Sequence, residues 1–157
     1  MEGLPKGLPQ VGDNGLDYTH TWGRTYWGGA LFCTLADIEI HQRTNNHRGL
    51  QDALRAILAG GGNIEVSWPL ERALMLGDKA TGVPVLTELY QQMKAKAVQY
   101  DLARLWNNLG VEPLGEVTVN DRAPLAAVRR AITAVPTGTT ACYPTFDNSV
   151  SRRDAQS

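Results

Sequence analysis

The sequence lacks several features that would commit it to a specialised class of protein. It has two cysteines, Cys33 and Cys142, which are too far apart for a metal-site motif and leave a disulfide possible. It also lacks an excess of one charge, because its net charge of -1 offers phosphate backbones no general attraction. No apolar run approaches the roughly 20 residues that cross a bilayer, and the N-terminus lacks a signal-peptide core. We therefore expect a soluble protein with no nucleic-acid and no membrane partner, in an undetermined compartment.

The remaining composition is that of an ordinary globular protein. Hydrophobic residues make up 43% and charged residues 20% of the 157 residues, enough for one domain with a single core. Residues 1–21 are rich in proline and glycine and predict an extended lead-in. Residues 22–135 carry helical periodicity and predict a helical lobe. Residues 136–157 show no defensible period and predict an irregular tail.

The first predicted helix begins near Tyr26 and ends near Thr44. One stripe of this helix is predicted from apolar residues spaced by three or four, and the neighbouring stripe becomes small and polar after its aromatic start. Cys33 falls within this helix, which favours a free, buried thiol. The apolar stripe is Trp27, Leu31, Leu35 and Ile38, and the neighbouring stripe is Tyr26, Ala30, Cys33 and Asp37.

Two further helices are predicted between residues 50 and 77. The second begins at Leu50 and is stopped by the three glycines at 60–62, which are poor helix formers. The third begins around Pro69, with Ser67 as a plausible cap, and ends at Gly77. Between and after these helices, the pattern predicts a brief extended piece at 64–66 and a loop at 78–82.

Three more helices complete the predicted architecture. The fourth begins at Pro84; the fifth is capped by Asp101 and ends at Gly110; the last begins at Pro124. Residues 116–119 alternate enough for a short strand. The predicted fold class is therefore all-α, a compact array of about six short helices with at most one small strand pair.

Metal-ligating residues are sparse in this sequence. It contains no H-E-x-x-H, the helical motif that gives zinc two imidazoles with a glutamate base between them. His20, His41 and His47 differ too much in setting to form a metal triad, and surface positions are the favoured interpretation of the last two. The Glu71-Arg72 and Arg129-Arg130 pairs are interpreted as solvated faces. Trp68 and Trp106 either line a groove or anchor helices together, the second being the commoner role.

One segment carries a resemblance to a known family. Tyr26 begins the sequence Y-W-G-G-A followed by an apolar helix, which resembles the tyrosine-containing helix of gluzincin metallopeptidases. Residues 43–55, R-T-N-N-H-R-G-L-Q-D-A-L-R, look like the connector that follows this helix in one branch of those enzymes. Together with Gly77-Asp78 and Thr81-Gly82, they make residues 8–136 similar to the C-terminal part of the catalytic domain of the glycyl aminopeptidase family, which is often associated with a PDZ domain.

This resemblance implies a role for Tyr26. In gluzincins the matching hydroxyl donates a hydrogen bond to the oxyanion beside zinc, which stabilises the transition state. Gly28 stands where a lysine is common, which puts that lysine's contacts in doubt, and the zinc ligands have no counterpart here. The alternative for Tyr26 is a core residue with its hydroxyl satisfied at the edge, and Gly28 and Gly29 then simply permit close helix packing.

The resemblance also implies how the chain works. We expect a helical lobe that is inactive alone, with no cofactor of its own, and zinc in the complete parent enzyme. Its expected partners are a second copy of the chain or the missing zinc-binding lobe, with a peptide as the parent's substrate. The alternative is a non-catalytic helical module for interaction or assembly.

Overall fold

The computed structural model describes residues 26–94, 100–112 and 117–134. Within these ranges the chain forms six helices and one two-stranded antiparallel pair, which confirms the predicted all-α array. None of these helices combines the length and apolar character needed to cross a bilayer. The elements are α1 Gly28–Arg43, α2 Leu50–Ala59, α3 Leu70–Thr81, α4 Val85–Met93, α5 Leu102–Leu109, β1 Val111–Glu112, β2 Thr118–Val119 and α6 Ala126–Thr133. The predicted lead-in at 1–21 and the tail at 136–157 lie outside the described residues.

Helix α1 is central because its apolar residues lie on more than one face. One face joins α2, α3 and α4 in what we call the first core, and another joins α5 and α6 in the second core. The single core expected from chain length is therefore divided by α1. The buried residues of the first core are Ala36, Ile40, Ala53, Leu74, Val85 and Leu86; those of the second core are Leu35, Ile38, Leu105, Leu109 and Val128.

Helix α3 is longer than predicted. Gly77 does not end it; the helix continues to Thr81 and ends at Gly82, which has a left-handed φ of 78°. The predicted loop at 78–82 is thus mostly helix. Gly77 is buried in the interface, where a Cβ would lie 2.5 Å from Leu86 Cδ1 and 3.0 Å from Ala53 Cβ. Its small size therefore serves close packing of three helices.

Asp78 links the extended end of α3 to the start of α4. Its Oδ1 accepts a hydrogen bond from the Leu86 amide at 2.8 Å, and its Oδ2 accepts one from the Thr87 amide at 3.0 Å. These amides belong to the first turn of α4, where no intrahelical acceptor exists. A carboxylate from one helix therefore caps the next.

The segment between α2 and α3 contains no strand. Asn63 forms a turn in which its side-chain oxygen accepts a hydrogen bond from the Glu65 amide at 2.9 Å. This turn replaces the predicted extended piece at 64–66 and leaves Ile64 fully exposed. Ser67 does not cap α3, whose N-cap position is Pro69 without a side-chain hydrogen bond.

The second core is closed by a helix, a short hairpin and α6. Asp101 caps α5 through a 2.9 Å hydrogen bond from the Arg104 amide, as predicted. Gly110 ends that helix with a φ of 71°, also as predicted. Strands β1 and β2 then pair in antiparallel register, with Val111 opposite Val119.

The Arg129 side chain packs against this hairpin, so the prediction that it lies on a solvated face is wrong. Its side chain is 11% exposed and its guanidinium pairs with Asp121. Its Nη1 donates to the carbonyls of Leu109, Gly110 and Asn120 at 2.7, 3.1 and 3.2 Å. One cation thus satisfies carbonyls at the end of α5 and in the hairpin, which explains its burial.

Candidate functional site

Tyr26 and Trp27 stand at the very start of the first helix, in a wider turn that precedes α1. Their exposed fractions are 58% and 52%, so Tyr26 is not a core residue and Trp27 is also at the surface. Leu35 and Ile38, farther along the same predicted stripe, are buried. The first turn of the helix therefore presents two aromatic side chains at the surface, while the following turns form the second core.

An apolar groove lies beside this aromatic start, between α1 and the first turns of α5. It encloses about 230 Å³. Trp27 and Trp106 both line it, so Trp106 lines a groove as well as packing against the second core. The groove is lined by Trp27, Ala30, Leu31, Thr34, Leu102, Leu105 and Trp106.

Small residues keep the groove open. Ala30 and Thr34 lie one turn apart on α1, where larger side chains would fill the space toward α5. The Thr34 hydroxyl donates to the Ala30 carbonyl at 2.8 Å, which leaves its methyl as the remaining group at the end of the side chain. Sequence patterning missed Leu102 as a groove residue, although its i,i+4 spacing to Trp106 is the signal that would have found it.

A more polar depression adjoins the groove across Leu105. It encloses about 340 Å³ and is lined by Tyr100, Asp101, Arg104, Leu105 and Asn108. Leu105 lies in both linings and is 6% exposed, so it forms the shared floor. The two depressions together place an apolar surface next to a guanidinium and an amide.

Cys33 faces outward, so the prediction of a buried thiol is wrong. It belongs to the predicted small and polar stripe, which turns away from both cores. Partial desolvation raises the pKa of its thiol, and the Asp37 carboxylate raises this pKa further. The thiol therefore favours its neutral form and is no activated nucleophile. The possible partner Cys142 lies outside the described residues.

His41 is buried, at 3% exposure, so the prediction of a surface histidine is wrong for this residue. Its Nε2 lies 3.5 Å from Asp37 Oδ1, and neither ring nitrogen has a hydrogen-bond partner among the described residues. The same Asp37 oxygen accepts from the Leu50 amide at 2.7 Å and so holds the start of α2. His47 is exposed, as predicted, and His20 lies outside the described ranges.

No group of three or more histidine, cysteine or acidic side chains in ranges 26–94, 100–112 and 117–134 is arranged to hold a metal. The described residues therefore do not fit the zinc that the resemblance implies. Of the two glycines after Trp27, Gly28 is buried, whereas Gly29 is exposed and a Cβ there would meet nothing within 4 Å. Close packing therefore does not explain Gly29.

Trp68 does not take part in the groove. Its ring supports the guanidinium of Arg72 at 3.8 Å from the ring centroid and lies near Gly62, where a Cβ would come within 2.9 Å of it. This places Trp68 between α2 and α3, in keeping with the anchoring interpretation.

No family model, curated protein or solved structure matches the chain. Two observations bear on function: the residues that carry the resemblance, and the exposed position of Tyr26 next to Trp27, which lines the apolar groove.

Proposed function

We propose that this chain is the helical C-terminal lobe of a zinc metallopeptidase catalytic domain of the glycyl aminopeptidase type, and that Tyr26 stabilises the transition state. The observation that supports this most is the position of Tyr26. It is 58% exposed at the first turn of a helix whose later turns are buried, where a hydroxyl can reach a substrate held by an opposing lobe. A tyrosine used only for packing would be expected in one of the two cores.

The chemistry assigned to Tyr26 is the donation of one hydrogen bond. When a peptide carbonyl is attacked, its oxygen becomes negative, and a positioned phenol stabilises that charge more than it stabilises the neutral carbonyl. Zinc would supply Lewis acidity and activate water in such a domain. Since the described residues offer no zinc site, this proposal assigns the metal to the complementary lobe.

The proposal predicts that the isolated chain binds no stoichiometric zinc and hydrolyses no aminoacyl substrate. Metal analysis of chelator-washed protein and an assay with glycyl and alanyl amides test this. One equivalent of tightly bound zinc together with turnover would contradict the proposal that the complementary lobe binds the metal.

The decisive test uses the complete protein in which this lobe is joined to its zinc-binding half. Removing a single oxyanion donor costs about a hundredfold or more in kcat. Tyr26→Phe should therefore reduce kcat by that factor, with nearly unchanged KM and melting temperature. Tyr90→Phe, which removes the hydroxyl of a half-buried tyrosine packed against the first core, is the matched control. An unchanged kcat, or a large loss of melting temperature, would assign the Tyr26 hydroxyl to structure.

The same surface accounts for the proposed partner. Tyr26, Trp27 and the groove form an apolar face of the kind usually covered by another surface. Without the zinc-binding lobe, a second copy packed about a two-fold axis is the simplest cover. Light scattering at several concentrations should show concentration-dependent association that Trp27→Glu abolishes. A monomeric wild-type chain would contradict this.

A second candidate function, a non-catalytic assembly module, draws on a different surface. Helices α2 and α3 and the turn between them expose large apolar side chains: Leu54, Leu58, Ile64, Val66, Leu70 and Met75. Leu54→Glu with Leu58→Glu should abolish association if assembly uses this face, and should leave it unchanged if assembly uses Trp27. The two surfaces are distinguished by whether association is abolished by Trp27→Glu or by the double substitution at Leu54 and Leu58.

A further inference from the structure

We propose that the groove between α1 and α5 is a binding site for one apolar side chain of a short peptide, and that Arg104 receives the carboxylate of the same residue. Trp27 and Trp106 both line this groove, and Leu105 forms the floor that the groove shares with the depression that contains Arg104. The binding site follows from the geometry, whereas its use for a substrate rests on the proposed function.

The volume of the groove indicates how large a group can bind in it. An apolar cavity of about 150 Å³ holds a benzene molecule, and pockets for whole drug-sized ligands begin at about 300 Å³. The groove encloses about 230 Å³, which lies between these values. A phenylalanine or leucine side chain fits such a space, while a whole helix of a partner does not.

The lining of the groove favours an uncharged occupant. Apart from the Thr34 hydroxyl, which is engaged with the Ala30 carbonyl, its side chains are aliphatic or aromatic. A bound apolar side chain would lie between the rings of Trp27 and Trp106 and remove both from water. Burial of one such side chain contributes enough affinity to change binding by about tenfold or more.

The positive charge of Arg104, next to the groove, indicates which chemical group the ligand should carry outside the groove. Arg104 is exposed, and its guanidinium has no ion pair among the described residues. Asp101 shares the depression, but its Oδ1 accepts the Arg104 amide at the start of α5, where the helix N-terminus offsets part of its charge. A carboxylate is the group that a guanidinium binds best, and Asn108 supplies a neutral donor beside it.

The position of Tyr26 connects this groove to the reaction. Tyr26 precedes Ala30, a groove residue, by about one helical turn. Since the residue in the groove is proposed to carry the terminal carboxylate, it is the last residue of the peptide and must follow the bond whose carbonyl Tyr26 contacts. The substrate class inferred is therefore a short peptide with a large apolar residue after the cleaved bond and a free terminal carboxylate on that residue.

Binding is tested on the 157-residue chain at concentrations at which light scattering shows a monomer, so that the groove is uncovered, with three dipeptide probes that differ in one group each. Glycyl-phenylalanine carries both features, glycyl-glycine lacks the apolar side chain, and glycyl-phenylalanine amide lacks the carboxylate. Amide chemical shifts of isotope-labelled protein report the affinity and the location. Glycyl-phenylalanine should shift residues of α1 and α5 and bind about tenfold or more tightly than glycyl-glycine. The amide should bind about two- to fivefold more weakly, as expected for one exposed ion pair.

Substitutions test the carboxylate-binding arginine and the apolar groove separately. Arg104→Gln should remove the preference for the carboxylate, while Arg122→Gln, at another exposed arginine, should retain it. Thr34→Phe should fill the groove and abolish binding, and Ala30→Phe is the second filling variant, on an exposed residue, in case the first disturbs folding. Circular dichroism of each variant establishes that it is folded.

The results distinguish failure of this inference from failure of the proposed function. Equal binding of the three peptides, or shifts confined to α2 and α3, would overturn the groove assignment even if Tyr26→Phe inactivates the complete enzyme. Selective binding of glycyl-phenylalanine, with no effect of Tyr26→Phe on kcat, would keep the groove and reject the catalytic role. Filling the groove in an active complete enzyme should raise KM for glycyl-phenylalanine far more than for glycyl-glycine.

Discussion

The first and second cores use different faces of α1 and are closed in different ways. The first core brings helices close together through small residues, since Ala36 and Ala53 are fully buried and Gly77 has no room for a Cβ. The second core is built from larger side chains and is open at one end, where Trp27 and Trp106 border the groove. Small residues therefore have opposite effects in the two regions. In the first core they allow helices to pack closely, whereas Ala30 and Thr34 leave the groove open beside the second core.

The largest expected effect is a deletion in the first core. Ile40 is fully buried, so Ile40→Ala leaves a cavity and should reduce the free energy of unfolding by about 2–5 kcal/mol. Leu31→Ala, at the half-buried edge of the groove, should cost only about 1 kcal/mol because water already reaches this side chain. Urea denaturation measures both. Equal losses would mean that the groove is as closed as the first core.

Substitutions that enlarge a side chain also test the difference between the closely packed first core and the more open start of α1. Gly77→Val must displace Leu86 or Ala53 and should cost about 1–3 kcal/mol. The matched helical glycine, Gly29, meets nothing within 4 Å, so Gly29→Ala should stabilise the protein by about 0.5–1 kcal/mol. Thermal unfolding of the two variants should shift in opposite directions. Tolerance of valine at position 77 would contradict the close approach of α2, α3 and α4.

Helix caps give a smaller difference between the two cores. Asp78 accepts two amides of a different helix, so Asp78→Ala should cost about 1–2 kcal/mol and speed hydrogen exchange at Leu86 and Thr87. Asp101 accepts one amide of its own exposed helix, and Asp101→Ala should cost about 0.5–1 kcal/mol. A larger loss for Asp101 would reverse the proposed ranking of the two caps.

The smallest expected effect is on Cys33 reactivity. Since desolvation and Asp37 raise the pKa of the thiol, less thiolate is present at pH 8 than in free cysteine, and alkylation by iodoacetamide should be slower. Asp37→Asn removes only the second cause and should increase the rate partially. Both measurements use a Cys142→Ser background so that one thiol reacts. Alkylation faster than that of free cysteine would show that the thiol is activated.

Helix starts and most helix ends were predictable because their chemistry is local. Asp101 accepts the amide of Arg104, and Gly110 adopts a left-handed φ, each as its residue type predicts. The prediction that α3 ends at Gly77 is wrong because a glycine that ends a helix and a glycine that permits close packing look the same in a sequence. What distinguishes them is the presence of Leu86 and Ala53 across the interface, which is tertiary information.

Burial of polar residues was the least predictable feature. The sequence predicts surface positions for His41 and Arg129, whereas His41 is buried and the Arg129 side chain is only 11% exposed. The Arg129 side chain has this low exposure because carbonyls from a helix end and a hairpin surround its guanidinium, an arrangement that exists only after folding. The sequence likewise does not decide the exposure of Tyr26. The groove depends on tertiary structure, which brings Leu102 and Trp106 of α5 together with Trp27.

The contacts of Arg129 imply an order of events during synthesis. The carbonyls at Leu109, Gly110 and Asn120 emerge from the ribosome before the guanidinium that binds them. Until α6 follows, the end of α5 and its hairpin lack their shared donor, so this half of the nascent chain should mature after α1–α4. Nascent chains stalled before and after residue 129 should accordingly differ in protease resistance around Gly110, with little difference around Ile40.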